Sequence, residues 1–145
     1  MNRSIKFRVW DNKSLRFLSE NEFTLFKNGC LNLKSKTITN PSENTLDQYY
    51  FSENRFTIQQ FTGLLDKNGR EIYEGDIVQY NRRSSYDGIN FEVKWSEDNW
   101  GWVLVSKNKD YLINEQTPEG YRYEFIEIVG NIFENPDLLK QYARN

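Results

Sequence analysis

The chain is 145 residues long, enough for one modest core and too short for two full domains. It carries 19 Lys and Arg against 21 Asp and Glu, and the formal net charge of -2 gives no global pull toward phosphate or an anionic membrane. Histidine is absent and Cys30 is the single cysteine, which removes histidine-assisted nucleophilic catalysis, histidine and four-cysteine metal sites, and any intrachain disulfide.

At the N-terminus, Met1-Asn2-Arg3-Ser4-Ile5-Lys6 lacks the apolar centre of a signal peptide, and no apolar run approaches the roughly 20 residues of a membrane span. A soluble, cytoplasmic protein is expected. Ile5 to Trp10 alternates with period two, so a half-buried strand should turn Ile5, Phe7 and Val9 inward and Lys6, Arg8 and Trp10 outward. A turn at Asp11-Asn12-Lys13-Ser14 then lets Leu15 to Leu18 return as its hairpin partner. Between residues 19 and 55 the apolar groups are short and scattered, which suggests an irregular insertion or arm.

Phe56 to Phe61 reads as a strand that feeds the stretch organising the chain, Gln60 to Tyr80. Within it Asn68-Gly69 predicts a type I′ hairpin turn, because both central residues of that turn need positive φ. Glu74-Gly75-Asp76 predicts a second tight turn, joining strands at Glu71 to Tyr73 and Asp76 to Tyr80. Thr62-Gly63 carries a third turn signal; neither Gly63 nor Gly75 has the Gly-Lys-Ser/Thr company of a phosphate loop.

After a loop at Ser84 to Gly88, Phe91, Val93 and Trp95 alternate inward, and Trp100, Trp102 and Leu104 line one face of the following strand. Lys107 to Asp110 is a turn and Asn114 to Gly120 a surface loop. Tyr123 to Val129 forms a last strand, ended by Gly130. Asn135-Pro136-Asp137 then starts a short helix, with Asn135 as cap and Pro136 at the first helical position. Aromatics make up 16% of the chain and favour strands, so the expected fold is mainly β: a small bent sheet or barrel, one domain over 1–145, with the arm at 19–55 and a short C-terminal helix.

Three blocks resemble the YopX family of phage and prophage proteins: Ile5-Lys6-Phe7-Arg8-Val9-Trp10-Asp11; Gln60-Phe61-Thr62-Gly63-Leu64-Leu65-Asp66-Lys67-Asn68-Gly69 with Glu74-Gly75-Asp76-Ile77-Val78; and Val129-Gly130-Asn131-Ile132-Phe133-Glu134-Asn135-Pro136. The resemblance implies a small, mostly β, homo-oligomeric protein encoded by a phage or prophage. It brings no catalytic residues with it.

Three chemistries are open to the residues themselves. Glu71, Glu74 and Asp76 form the one acidic group able to act as acid and base or to hold a divalent cation, although turn geometry alone accounts for Glu74 and Asp76. Trp95, Trp100, Trp102 and Tyr111 with Arg82, Arg83, Lys94, Lys107 and Lys109 could stack bases and meet phosphates of single-stranded nucleic acid, against the repulsion of Glu92, Glu97, Asp98 and Asp110. The favoured reading is a non-enzymatic, self-associating module, without cofactor or metal, that contacts a host or phage macromolecule. Trp10, Tyr73, Trp100 and Trp102 are its candidate contact residues, and the arm and C-terminal helix its candidate contact elements. Charge is uneven along the chain: residues 1–60 carry a net charge of +3 and residues 61–145 a net charge of -5.

Overall fold

The computed structural model describes residues 4–25, 31–33, 55–81, 88–106, 109–112 and 123–140. These are mainly strands, and the helical segments among them are two short 3-10 turns. The chain divides into two compact units, Phe7–Gln59 and Met1–Lys6 with Gln60–Asn145.

In the Phe7–Gln59 unit, β1 (Phe7–Asp11) pairs antiparallel with β2 (Arg16–Phe17), setting Trp10 opposite Phe17 and Asp11 opposite Arg16. The loop between them closes with the Leu15 amide donating to the Asp11 carbonyl at 2.8 Å, and Leu15 takes the left-handed φ of 54°. Asp11 fixes this loop. Its carboxylate, in a residue only 4% exposed, accepts the Lys13 amide at 2.9 Å, the Ser14 hydroxyl at 2.8 Å and the Arg55 guanidinium at 3.3 and 3.4 Å.

The simple inward and outward alternation of the first strand is corrected. Val9 is buried as expected, but so is Trp10, whereas Ile5 and Phe7 are exposed. The reason is that the second face is covered: Phe17 meets Trp10 edge to face at 5.0 Å, and Arg8 lies 4.6 Å over the same Phe17 ring while bonding Gln59 at 2.8 Å. β3 (Phe23–Leu25) and β4 (Leu31–Leu33) form a two-stranded ladder, so the region read as an irregular arm contains regular pairing. Its leucines and Phe23 pack with Val9, Leu31, Phe56 and Ile58 into a small core. Residues 26–30, with Cys30, and 34–54 lie outside the described residues.

β5 (Phe56–Leu65) runs through both units, its first residues belonging to this one and the remainder to the next. In the larger unit it pairs with β6 (Glu71–Tyr73) across an irregular register between Phe61 and Leu65. Gly63, at φ +87°, sits in that bulge, and Thr62 locks it by donating to the Ile72 carbonyl at 2.8 Å and accepting the Leu64 amide at 3.1 Å. A five-stranded antiparallel sheet follows in the order β10-β9-β8-β7-β11, from β7 (Asp76–Tyr80), β8 (Asn90–Ser96), β9 (Gly101–Ser106), β10 (Lys109–Leu112) and β11 (Ile126–Asn131). Val78, Phe91, Val93, Trp102 and Leu104 share one face and bury against Ile72, Tyr80 and Ile126. This is the main core.

The last strand begins later than its apolar pattern suggests, because Tyr123–Phe125 is a 3-10 turn. It also runs past Gly130 to Asn131, with a bulge between Ile128 and Gly130. The expected terminal helix is a single 3-10 turn, Pro136–Leu139, with Asn135 at its cap position and Pro136 first. Asn135 makes no side-chain cap bond; its Oδ1 instead reaches back to the Asn131 amide at 3.3 Å.

Candidate functional site

The Asp66–Arg70 turn is the best-built polar site of the larger unit. Gly69 alone takes positive φ, +80°, with its amide donating to the Asp66 carbonyl at 2.9 Å, so the turn is not type I′. The cause is Asp66. Its Oδ1 accepts both the Asn68 and Arg70 amides at 2.9 Å, an Asx arrangement that keeps Asn68 out of the left-handed region. Its Oδ2 accepts the Ile128 amide at 3.1 Å and Arg70 Nε at 3.2 Å.

Lys67 and Arg70 complete the attachment to β11. The Lys67 amide donates to the Ile126 carbonyl at 2.8 Å, the Arg70 guanidinium donates to the Ile128 carbonyl, and Lys67 Nζ pairs with Glu127 at 2.6 Å. The turn therefore occupies the outer edge of β11. Burial opposes ionisation of Asp66, but the amides of Arg70, Ile128 and Asn68 outweigh it and hold the carboxyl below its ordinary range.

The acids proposed for catalysis are occupied in a similar way. Asp76, 2% exposed, accepts the Tyr73 amide at 2.8 Å. Glu71 pairs with Lys6 and accepts the Tyr73 hydroxyl at 2.9 Å, and both contacts lower its carboxyl. Gly75 sits between them in the chain at φ +79°, its amide donating to the Val93 carbonyl at 2.8 Å and its carbonyl accepting the Ile132 amide at 2.9 Å. Glu74 faces a different neighbour: burial chiefly raises the Glu92 carboxyl, with Lys94 opposing and Glu74 adding to the rise. No group of three carboxylates or thiolates among the described residues is arranged to hold a metal ion.

The aromatic candidates separate. Trp10, in the smaller unit, and Trp102, in the larger, are 4% and 7% exposed, which corrects their assignment as outward contact residues. Tyr73 is half-buried, its ring 5.5 Å from Phe61 and its hydroxyl tied to Glu71. Trp100 is 83% exposed and belongs to the loop before β9, not to the strand face with Trp102. Trp95, read as inward, is 44% exposed; it is the next-to-last residue of β8 and meets Trp102 edge to face at 5.3 Å. Of the cations named with them, Arg82, Arg83 and Lys107, and the side chains of Lys109 and Tyr111, lie outside the described residues.

Sequence reasoning missed Asp11, Asp66 and Asn131. Asn131 Oδ1 accepts the Phe133 and Glu134 amides at 3.0 and 2.9 Å, and its Nδ2 donates to Glu134 at 2.7 Å. The available signal was local: each Asp or Asn is followed within a few residues by the amides it collects. Gly130 permits this turn, since a Cβ there would stand 2.6 Å from Asn135 Oδ1.

The fold and this site define a small, mainly β protein whose polar groups, where described, hold turns and strand edges in place. The model of the YopX protein family matches residues 6–140, and the chain belongs to the YopX family. It is similar to the crystal structure of protein EF1440 from Enterococcus faecalis, with 28% identity and a TM-score of 0.60, covering 95% of this chain and 99% of that one. No curated protein matches it. No helix among the described residues is long and apolar enough to cross a membrane.

Proposed function

We propose that this YopX protein is a non-enzymatic accessory module of a phage or prophage, working in the host cytoplasm by self-association and by contact with another macromolecule. One observation carries the reading: Asp11, Asp66 and Asp76, the acids of the first two blocks that resemble the family, are all committed to backbone amides, whereas apolar side chains stand in solvent. Carboxylates bonded in this way are poor bases and have little lone-pair capacity left for a cation. Leu15 at 71%, Ile5 at 70% and Trp100 at 83% exposure are the kind of residues a contact surface buries.

Light scattering over a range of concentrations tests self-association. A mass above the 17.4 kDa of one chain supports it, and a single-chain mass throughout removes it. The enzymatic alternative is tested separately. A rise in melting temperature on adding Mg²⁺ or Mn²⁺, abolished by Glu74→Gln, would replace the non-enzymatic reading with a metal-dependent one.

A further inference from the structure

We infer that the end of the β8–β9 hairpin is a seat for an arginine- or lysine-bearing segment of another protein, an inference that rests on the protein-contact reading above. The hairpin is closed by residues 97–100, with Ser96 opposite Gly101 and Trp95 opposite Trp102. Ser96 Oγ accepts the Asn99 amide at 3.2 Å and its side-chain amide at 3.0 Å, which fixes the loop before Trp100. Trp100 then takes φ 49°, a region where Gly or Asn is accommodated at less cost than a bulky side chain. At 83% exposure it buries too little surface to offset that cost by packing.

In the strand before it, Trp95 is 44% exposed and is backed by the buried Trp102, whose indole Nε1 finds no hydrogen-bond partner among the described residues. Two indoles are thus exposed at the end of one hairpin. Indole faces are the strongest aromatic partners of ammonium and guanidinium groups.

Charge selects the partner. Strand alternation places Lys94 on the face opposite Trp95, where it lies 3.7 Å from Glu92. Glu97 and Asp98, both exposed, are the remaining charges of the hairpin end. They belong to residues 61–145, whose net charge is -5. Exposed carboxylates in the loop that carries Trp100 attract a cationic peptide and repel a phosphate backbone, so a protein segment is favoured over single-stranded nucleic acid.

The experiment titrates the full chain at low salt with a short peptide of alternating arginine and serine, following tryptophan fluorescence. A peptide with glutamate for arginine and an oligothymidylate serve as competitors of other chemistry. The arginine peptide should bind, the other two should not, and binding should weaken with salt. Trp100→Gly should reduce affinity by about tenfold or more without lowering the melting temperature, and Glu97→Gln with Asp98→Asn should weaken binding and flatten its salt dependence. Asn21→Ala, at an exposed turn position before β3, should leave affinity unchanged. Failure of the arginine peptide to bind, unchanged affinity in both hairpin variants, preferential binding of the oligothymidylate, or a fall in melting temperature on Trp100→Gly would each overturn the inference. Light scattering on the same samples separates the two claims: self-association without peptide binding sinks this inference and leaves the proposed function standing.

Discussion

At the scale of single residues, the acids that look most reactive on paper serve the backbone. Asp66 answers three amides and a guanidinium from a side chain with no solvent exposure, so Asp66→Ala strands several donors at once. A loss of about 3 kcal/mol is expected, read as a lower denaturant midpoint, with Asp66→Asn costing less because it keeps part of the hydrogen bonding. Asp11 gives the pH counterpart. Burial alone would raise its carboxyl, but Arg55, Ser14 and the Lys13 amide bring it from 3.8 down to about 2. A depressed folded value means the stabilisation is fully present above pH 3.8 and is lost as pH falls toward 2. Acid unfolding curves of Asp11→Asn should lack that increment. Trp100 makes the opposite prediction: Trp100→Gly should raise stability by about 1 kcal/mol in thermal melts, since glycine accepts a φ of 49° without strain. These roles were only partly legible. Alternation marks which residues are apolar and on which face, but not that Arg8 and Phe17 cover the far side of Trp10. Trp95 fails for the converse reason, standing next to the end of β8 and 44% exposed.

At the scale of elements, strands and turns were legible where punctuation was strong. The bounds of β6 and β7 around Gly75 follow the expectation residue for residue. Turn type was not legible at Asn68-Gly69, because it depends on the Asp66 carboxylate two residues earlier more than on the dipeptide. The segment at Gly130 shows a similar dependence on context. Its backbone passes so close to Asn135 that any side chain must displace it. Gly130→Ala should therefore cost about 2 kcal/mol in chemical denaturation. Adding Asn135→Ala in the same chain should recover part of the loss, because it removes Oδ1 and Cγ, two of the three atoms in collision, and leaves Cβ at 2.8 Å. A double variant as unstable as the sum of its parts would show that the collision is not the cause. The Pro136–Leu139 turn is held nearby by Asn90, whose Nδ2 donates to the Leu138 carbonyl at 2.8 Å.

At the scale of the molecule, two cores of unequal size set the order of local stability. Among the described residues the larger unit buries eight residues in one cluster, among them Val78, Phe91, Val93 and Leu104, whereas the cluster of the smaller unit buries Val9, Leu31 and Phe56. Native-state hydrogen exchange should find the slowest amides in β7, β8 and β9, with those of β1 opening at lower free energy. Equal protection in both would contradict the ranking. The mainly β class was readable because aromatics and short strand signals recur along the whole chain, while the division near residue 60 was hidden by β5, one unbroken strand serving both units. The turn laid along β11 has a further effect. With Lys67 and Arg70 already taking its carbonyls, that margin has few donors or acceptors to offer an incoming strand, and β10 is the flank of the sheet left for extension among the described residues. Should copies of the chain ever join by sheet continuation, the sheet would lengthen from one flank only, and pairing two like flanks yields a finite pair in place of an endless fibre.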